Sequence, residues 1–139
     1  MSILIDTNIA IALIRDRPAA VRSHYRRAAA SGDDVYLSSI SLFELWYGVS
    51  RSRDVTDNTE RLADFLYGPI HIAEFDELDA ARAGLIRAEL GAVGTPIGPY
   101  DVLIAGQAAR NEYTLITGSS REFARVAGLT VDDWTKEPR

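Results

Sequence analysis

The sequence predicts an α/β fold with a central, mainly parallel sheet of four or five strands. Two observations predict it: short apolar runs recur along the chain, and segments with apolar residues at helical spacing separate them. Strands that alternate with helices form parallel sheets that are covered on both faces. The length of 139 residues favours one domain, and the composition, 47% hydrophobic and 25% charged, is typical of globular proteins.

The first half of the chain predicts three strands, at residues 3–5, 35–37 and 70–72, because each is a short apolar run next to polar or turn-forming residues. The polar triplet at residues 6–8 caps a helix that follows the first strand, and Pro18 starts a second helix that reaches about residue 30. Helical spacing predicts two more helices, at residues 38–50 and 59–66, which we expect to form a hairpin.

The second half begins with an Ala- and Leu-rich helix at residues 79–93. Two prolines predict that residues 94–100 are irregular and that this loop delivers Asp101 to a small-residue helix at 102–109. A strand at 113–117, a short helix at 121–125 and a last strand at 129–131 complete the pattern. We therefore expect a single domain over residues 1–134 and a frayed tail over 135–139.

The composition excludes several kinds of site. The chain has no cysteine and only two histidines, which excludes disulfides, thiolate zinc sites and cysteine nucleophiles and makes a histidine-rich metal site implausible. Any bound metal must be held by oxygen atoms. No stretch approaches the roughly 18 apolar residues of a membrane span, and the first residues do not resemble a signal peptide, so we expect a cytoplasmic protein that does not bind membranes.

The net charge of -5 argues against binding to nucleic acid through bulk positive charge. A local patch is still available, because residues 1–30 carry five arginines and only two aspartates. These arginines are Arg15, Arg17, Arg22, Arg26 and Arg27.

Three carboxylates occupy positions that favour a site. Asp6 follows a strand at the sheet edge where parallel sheets bind ligands, Glu44 lies in an apolar helix, and Asp101 opens another. Asp6 and Asp101 are also good helix caps, and Glu44 could share a solvent-facing stripe with Ser41 or pair with an arginine. If the three converge, each pair at about 4 Å repels by about 4 kcal/mol at an effective dielectric of about 20. Oxygen ligands around such a gap favour Mg²⁺ or Mn²⁺.

Two other features have simpler explanations. Residues 116–123 form a strand, a hydroxyl-rich turn and a short helix, which could bind phosphate but is explained as well by capping through Ser119 or Ser120. We expect the aromatic side chains of Phe43, Trp46 and Tyr47 to belong to the core rather than to an exposed groove for a partner helix.

Four segments together resemble a known family, the PIN-domain toxins of VapBC toxin–antitoxin pairs. They are residues 4–8 (LIDTN), 38–48 (SSISLFELWYG), 94–101 (GTPIGPYD) and 115–129, which contains LIT, REF and VAGL. The resemblance runs nearly from end to end and implies a PIN-domain-like α/β/α sandwich. It also implies a Mg²⁺- or Mn²⁺-dependent endoribonuclease, usually a homodimer, which is inhibited by an antitoxin whose C-terminal segment blocks the acidic site.

The resemblance assigns roles to particular residues. Asp6, Glu44 and Asp101 match the three acidic, metal-binding positions of the family. Supporting polar residues that position waters or phosphate oxygens are expected at Thr7, Asn8, Thr117 and Ser119. Ser119, preceded by Gly118, stands where the family commonly has Asn or Asp, and a hydroxyl is a poorer metal ligand than either. We therefore expect one firmly bound ion, a structured RNA substrate such as a tRNA, and the arginines of residues 1–30 as the rim that attracts it.

Two rival functions remain open at this point. A phosphoryl-accepting α/β protein would use Asp6 as a nucleophile, but Asn8 stands where one such class needs a second Asp, and the only lysine is Lys136 in the tail. A catalytically inactive PIN-like binding module, which acts only through its antitoxin complex, is favoured by Ser119. Cleavage of RNA that depends on Mg²⁺ and stops in EDTA would distinguish the enzyme from the binding module.

Overall fold

The computed structural model describes residues 1–137, which form a five-stranded parallel sheet and seven helices. The strands are β1 (Ser2–Ile5), β2 (Asp34–Ser38), β3 (Ile70–Ala73), β4 (Thr114–Ile116) and β5 (Thr130–Asp132). The helices are α1 (Thr7–Arg15), α2 (Ala19–Ala30), α3 (Ser39–Ser50), α4 (Val55–Tyr67), α5 (Glu77–Ala92), α6 (Pro99–Arg110) and α7 (Ser120–Phe123). Each strand of the predicted fold is present, and the prediction of a parallel α/β fold is confirmed.

The strand order is β3-β2-β1-β4-β5, so β1 lies at the centre of the sheet. Ile5, the last residue of β1, is in register with Leu37 of β2 and with Ile116 of β4. The chain builds the sheet outward from β1 on one side and then returns to add β4 and β5 on the other. A crevice between oppositely directed connections therefore opens at the carboxyl ends of β1 and β4, where such sheets bind ligands.

The sheet separates two hydrophobic cores, as in an α/β/α sandwich. On one face, Ile3 and Ile5 pack with buried residues of α1 to α4 such as Leu45 and Leu62. On the other face, Leu4 packs with buried residues of α5 and α6 such as Ile104. This alternation follows from the period of two in a strand, which sends neighbouring side chains of β1 into opposite layers.

Two predictions from the sequence are corrected. The segment before Asp101 is not irregular to its end, because α6 begins at Pro99, a residue that the first turn of a helix accommodates without losing a hydrogen bond. Phe43, Trp46 and Tyr47 do not belong to the core, because all three side chains of α3 are exposed. Helix α3 therefore carries more apolar side chains than it buries in the core of the chain.

The remaining boundaries differ from the predictions by a few residues. The helix predicted from residue 59 begins at Val55, and it packs against α3, as a hairpin requires. The predicted tail over 135–139 lies partly outside the described residues. Within them, the Thr135 amide donates to Asp133 Oδ1, and His24 Nε2 lies 2.7 Å from the Lys136 carbonyl oxygen. No helix in the described part of the chain has the length and hydropathy needed to cross a membrane.

Candidate functional site

Asp6 lies at the bottom of the crevice, between the end of β1 and the start of α1. Its side chain is the N-cap of α1, since Oδ1 accepts a hydrogen bond of 2.9 Å from the Ile9 amide. Only 4% of Asp6 is exposed, and its pKa is raised to about 6, chiefly by burial. The charge of Asp101 contributes to this rise, while hydrogen bonds from Thr117, Ile9 and Asn8 lower the pKa. Asp6 is therefore both a cap and a carboxylate at the predicted site.

Glu44 projects from α3 and is connected to α1 through a hydroxyl group. Thr7 Oγ1 lies 2.8 Å from Glu44 Oε1 and 2.9 Å from Ser41 Oγ. Ser41 is fully buried and lies one helical turn before Glu44, so the two residues share one face of α3. Glu44 thus has a hydrogen-bonded partner, and this partner is the residue next to Asp6.

Asp101 lies in the first turn of α6, where a carboxylate is favoured by the helix dipole. The glycine at the N-cap, Gly98, leaves room for this side chain, because a Cβ atom there would lie only 3.0 Å from Asp101 Oδ2. Burial raises the pKa of Asp101, and the negative charges of Glu122 and Glu44 raise it further. Asp101 therefore couples electrostatically to Glu44 and Glu122 as well as to Asp6.

The supporting polar residues differ in what they contact. Thr117 is fully buried, its hydroxyl group donates to Asp6, and its Oγ1 accepts a hydrogen bond of 2.9 Å from the Ser119 amide. Asn8 is exposed, and its backbone amide faces Asp6. The turn after β4 is thereby tied to the end of β1, and the side chains of Asn8 and Ser119 are left for other contacts.

The donor set of this crevice fits a hard divalent cation. Within the described residues, no salt bridge pairs a cation with Asp6, Glu44, Asp101 or Glu122. The same part of the chain holds no three acidic or histidine side chains close enough to form a complete cage for an ion. An ion bound in this crevice would take only one or two ligands from these carboxylates and the rest from water, as Mg²⁺ does in proteins.

The five arginines of residues 1–30 are spread over several places. Arg15 lines a groove between α1, α3 and α4 that Glu44 also lines. Arg22 of α2 has its Nε 2.6 Å from Asp16 Oδ1 at the end of α1. Arg27 lines one pocket with Ser120 and Asp132 and another with Met1 and Thr114. That these arginines form a rim for RNA stays a prediction.

Two arginines that the sequence did not single out, Arg51 and Arg61, line the same groove as Arg15. Arg17 and Arg26 are exposed on the surface of the helical layer. The positive charge around this groove thus comes from α1, the end of α3 and α4, and the packing of these three helices brings it together.

Ser41 and Glu122 also lie at the site, although the sequence did not lead us to expect them there. The sequence does indicate that Ser41 lies near Glu44, because it precedes Glu44 by three residues and therefore lies on the same face of the helix. Glu122 follows β4 in the short helix α7, whose start lies at the carboxyl edge of the sheet. Its position could be inferred from topology, but its coupling to Asp101 depends on the packing of α7 against the rest of the fold.

Comparison with known proteins adds an independent result. The model of the PIN domain family matches residues 3–129. The tRNA(fMet)-specific endonuclease VapC of Shigella flexneri is 36% identical over 135 residues, which cover 97% of this chain and 99% of that protein. Ribonuclease VapC2 of Haemophilus influenzae is 34% identical, with 94% and 96% covered. The structure of VapBC2 from Rickettsia felis bound to a promoter DNA fragment contains a chain that is 32% identical, with a TM-score of 0.89 and coverage of 96% and 99%.

Proposed function

This chain belongs to the PIN-domain family and, within it, to the VapC proteins, and we propose that it is a Mg²⁺-dependent endoribonuclease that acts as the toxin of a toxin–antitoxin pair. One observation supports the proposal most: the charge of Asp101 acts on the pKa of Asp6, and the charge of Glu44 acts on the pKa of Asp101. The names of the relatives, endonuclease and ribonuclease, support a phosphodiester as the bond that is cleaved.

In this mechanism, Asp6 and Asp101 would hold the ion, Mg²⁺ or alternatively Mn²⁺, with Glu44 as a direct or water-mediated partner. The chemistry supplied by such an ion would be an acidified water molecule and positive charge for the phosphate. Asp6 is kept in place by the Ile9 amide and the Thr117 hydroxyl group. Glu44 is held by Thr7 through one carboxylate oxygen, which leaves its other oxygen available for the ion or its waters.

The substrate we propose is a structured RNA such as a tRNA. The relative from Shigella flexneri is named for a tRNA, which supports this class for the present chain. Because the crevice is acidic, the RNA backbone must be attracted from its margin, and Arg15, Arg51 and Arg61 supply positive charge around the groove that Glu44 lines.

The same groove is the docking site that we propose for a VapB-type antitoxin. Solved relatives are VapBC complexes, which supports such a partner. The floor of the groove is apolar, with Ile14 and Val49 among its residues, and its margin carries the three arginines named above. An antitoxin segment with apolar and acidic side chains is complementary to this surface. Since Glu44 is one of the residues that line the groove, a bound segment would cover this carboxylate and exclude RNA.

A second copy of the chain is the other partner that we propose. Four neighbouring aromatic side chains are exposed by 41–60%, and the rings of Phe43 and Tyr100 are in edge-to-face contact at 5.7 Å. The other two are Trp46 and Tyr47. Together they expose about 400 Å² of aromatic surface, roughly half of the 800 Å² that each partner buries in a standard interface. An aromatic face of this size is suited to bring together two chains that each carry a net charge of -5.

The nuclease proposal is tested by cleavage of a tRNA pool and of a fluorogenic RNA by the purified chain. We expect cleavage in Mg²⁺ and none in EDTA. Asp6→Asn should reduce the rate to the level measured in EDTA, because it removes the buried negative charge while its amide can still cap α1. Asp64→Asn, which changes an exposed carboxylate of α4, should cleave like the wild type.

Binding to the antitoxin separates a nuclease from an inactive binding module. Asp6→Asn should still be captured by the cognate antitoxin, since the groove between α1, α3 and α4 is unchanged. If the wild type binds the antitoxin but shows no cleavage that EDTA removes, the chain is a binding module and the nuclease proposal is wrong. Metal-dependent cleavage that persists in Asp6→Asn would exclude the assignment of the site.

A further inference from the structure

The hydroxyl groups of Ser41 and Thr7 form a chain that ends on Glu44. Ser41 is fully buried in α3, and its Oγ lies 2.9 Å from Thr7 Oγ1, which in turn lies 2.8 Å from Glu44 Oε1. The three residues come from only two elements, the first turn of α1 and one face of α3. A buried hydroxyl group needs a partner, and here the partner of Ser41 belongs to another helix.

The direction of these hydrogen bonds follows from the chemistry of the groups. An ionised carboxylate can only accept, so Thr7 must donate its single proton to Glu44. Thr7 then has only lone pairs to offer to Ser41, so the Ser41 hydroxyl group donates to Thr7. In this order each hydroxyl group donates its proton once, Ser41 to Thr7 and Thr7 to Glu44. The first of the two bonds fixes Thr7, and the second fixes one oxygen of Glu44.

We infer that Thr7 and Ser41 are positioning residues that hold Glu44 in the orientation needed for the ion and its waters. This inference rests on the proposed function, which it deepens. It changes the expected role of Thr7, whose hydroxyl group contacts the carboxylate of Glu44 and so does not serve phosphate oxygens. It also adds Ser41, whose side chain is too deeply buried to contact a substrate.

The same contacts link two carboxylates of the site. Thr7 directly follows Asp6, whose side chain is fixed by the Ile9 amide at the start of α1. A hydrogen bond from Thr7 to Glu44 therefore sets the position of one carboxylate relative to the other across the boundary between α1 and α3. Partners that orient metal ligands in this way typically contribute about 10- to 100-fold to metal affinity or activity.

The test measures Mn²⁺ affinity by electron paramagnetic resonance or calorimetry, together with kcat and KM for RNA. Thr7→Val keeps the shape of the side chain and removes both hydrogen bonds, so we expect Mn²⁺ affinity to fall by about 10-fold or more. Thr7→Ser, which keeps the hydroxyl group, should restore it. Ser41→Ala removes only the bond that fixes Thr7, and its effect should be smaller than that of Thr7→Val.

The kinetic readout distinguishes positioning from substrate binding. If Thr7 holds Glu44, Thr7→Val lowers kcat and leaves KM for RNA unchanged; a rise in KM at constant kcat would instead assign Thr7 to the phosphate and overturn the inference. Thr59→Val is the matched control, because the hydroxyl group of Thr59 bonds only within its own helix, to the Val55 carbonyl oxygen. Urea unfolding in EDTA checks that each variant is folded.

The outcomes for this inference and for the proposed function are separable. A wild type that binds Mn²⁺ and cleaves RNA, with a Thr7→Val variant that does both equally well, overturns the positioning role and leaves the nuclease intact. A wild type that neither binds Mn²⁺ nor cleaves RNA overturns both. If Thr7→Val is unfolded, Ser41→Ala provides the test instead. An unchanged Mn²⁺ affinity of Ser41→Ala would then contradict the proposed chain of hydrogen bonds.

Discussion

A single residue, Asp6, combines a structural and a chemical role. As a cap, it satisfies the Ile9 amide at the start of α1. As a carboxylate at the carboxyl end of the central strand, it lies beside Asp101 in a crevice that excludes most solvent. Capping and a functional site are alternatives when only the sequence is known, because each predicts the same residue type. In the folded chain they coexist, since the capping bond from the Ile9 amide goes to Oδ1 only.

The raised pKa of Asp6 predicts how stability depends on pH in the absence of metal. The folded state holds the proton up to pH 6, whereas the unfolded chain releases it near pH 3.8. Stability from this group is therefore present below about pH 4 and is lost as the pH rises to 6. Above pH 6 the ionised carboxylate costs about 3 kcal/mol, as an order of magnitude.

Asp6→Asn should remove this cost, because an asparagine caps the helix without a charge. In EDTA at pH 7.5, we expect the variant to be more stable than the wild type by about 1–3 kcal/mol, and the difference should nearly vanish at pH 4. Urea unfolding at the two pH values measures it. Equal stabilities at pH 7.5, or the same difference at both values, would show that burial does not destabilise the ionised form of Asp6.

At the scale of elements, the sequence predicts the order and type of every helix and strand, and its errors have physical causes. The proline at position 99 looks like a helix breaker but occupies the first turn, where its missing amide proton is not needed. The aromatic side chains of α3 look like core residues, yet one face of the helix, with Ser41 and Leu45, is enough to fill the core. The hydrophobicity of a helix alone therefore does not show which of its faces packs against the rest of the chain.

The candidate site was predictable to the extent that topology fixes it. Asp6 and Asp101 follow from their places at the carboxyl edge of the sheet, and Glu44 follows from a charge in an apolar segment. The contacts of Ser41 and Glu122 were not predictable, since they depend on how two helices pack and which way the side chains turn. The arginines of residues 1–30 illustrate the same limit, because proximity in sequence does not by itself place Arg15, Arg22 and Arg27 against the same partners.

The contact between α5 and α6 gives a prediction about helix packing. A Cβ atom at Gly106 would lie 2.6 Å from the Cα atom of Ala83, which is backbone and cannot turn aside. Gly106→Ala should therefore force the helices apart and destabilise the fold by about 1–3 kcal/mol. Gly84→Ala lies on the exposed side of α5 with nothing within 4 Å, so it should stabilise by up to about 1 kcal/mol. Urea denaturation that ranks the two variants in the opposite order would contradict this packing.

At the scale of the whole molecule, strand order decides where chemistry can occur. Because β1 is central and β4 returns to its other side, Asp6 and Thr117 meet at the crevice where the connections diverge. The helix α3 leaves the same edge after β2, and α6 must begin there in order to reach the amino end of β4. One topology therefore assembles Asp6, Glu44 and Asp101 from segments that lie far apart along the chain. The fold explains the location of the site, whereas its charges and hydroxyl groups determine what it can do.

The exposed aromatic face predicts the state of the whole molecule in solution. It lies on α3 and α6 beside Glu44 and Asp101, so a symmetric dimer through this face would place two acidic crevices near the same interface. We expect the wild type to be a dimer by light scattering at micromolar concentrations. Changing Trp46 and Tyr47 together to lysine should produce a monomer, because four like charges would then meet in an apolar contact. Tyr67→Lys, which alters an aromatic residue on α4 that is 94% exposed, is the matched control and should remain a dimer. A monomeric wild type, or a dimer that survives the double change, would assign the face to another partner.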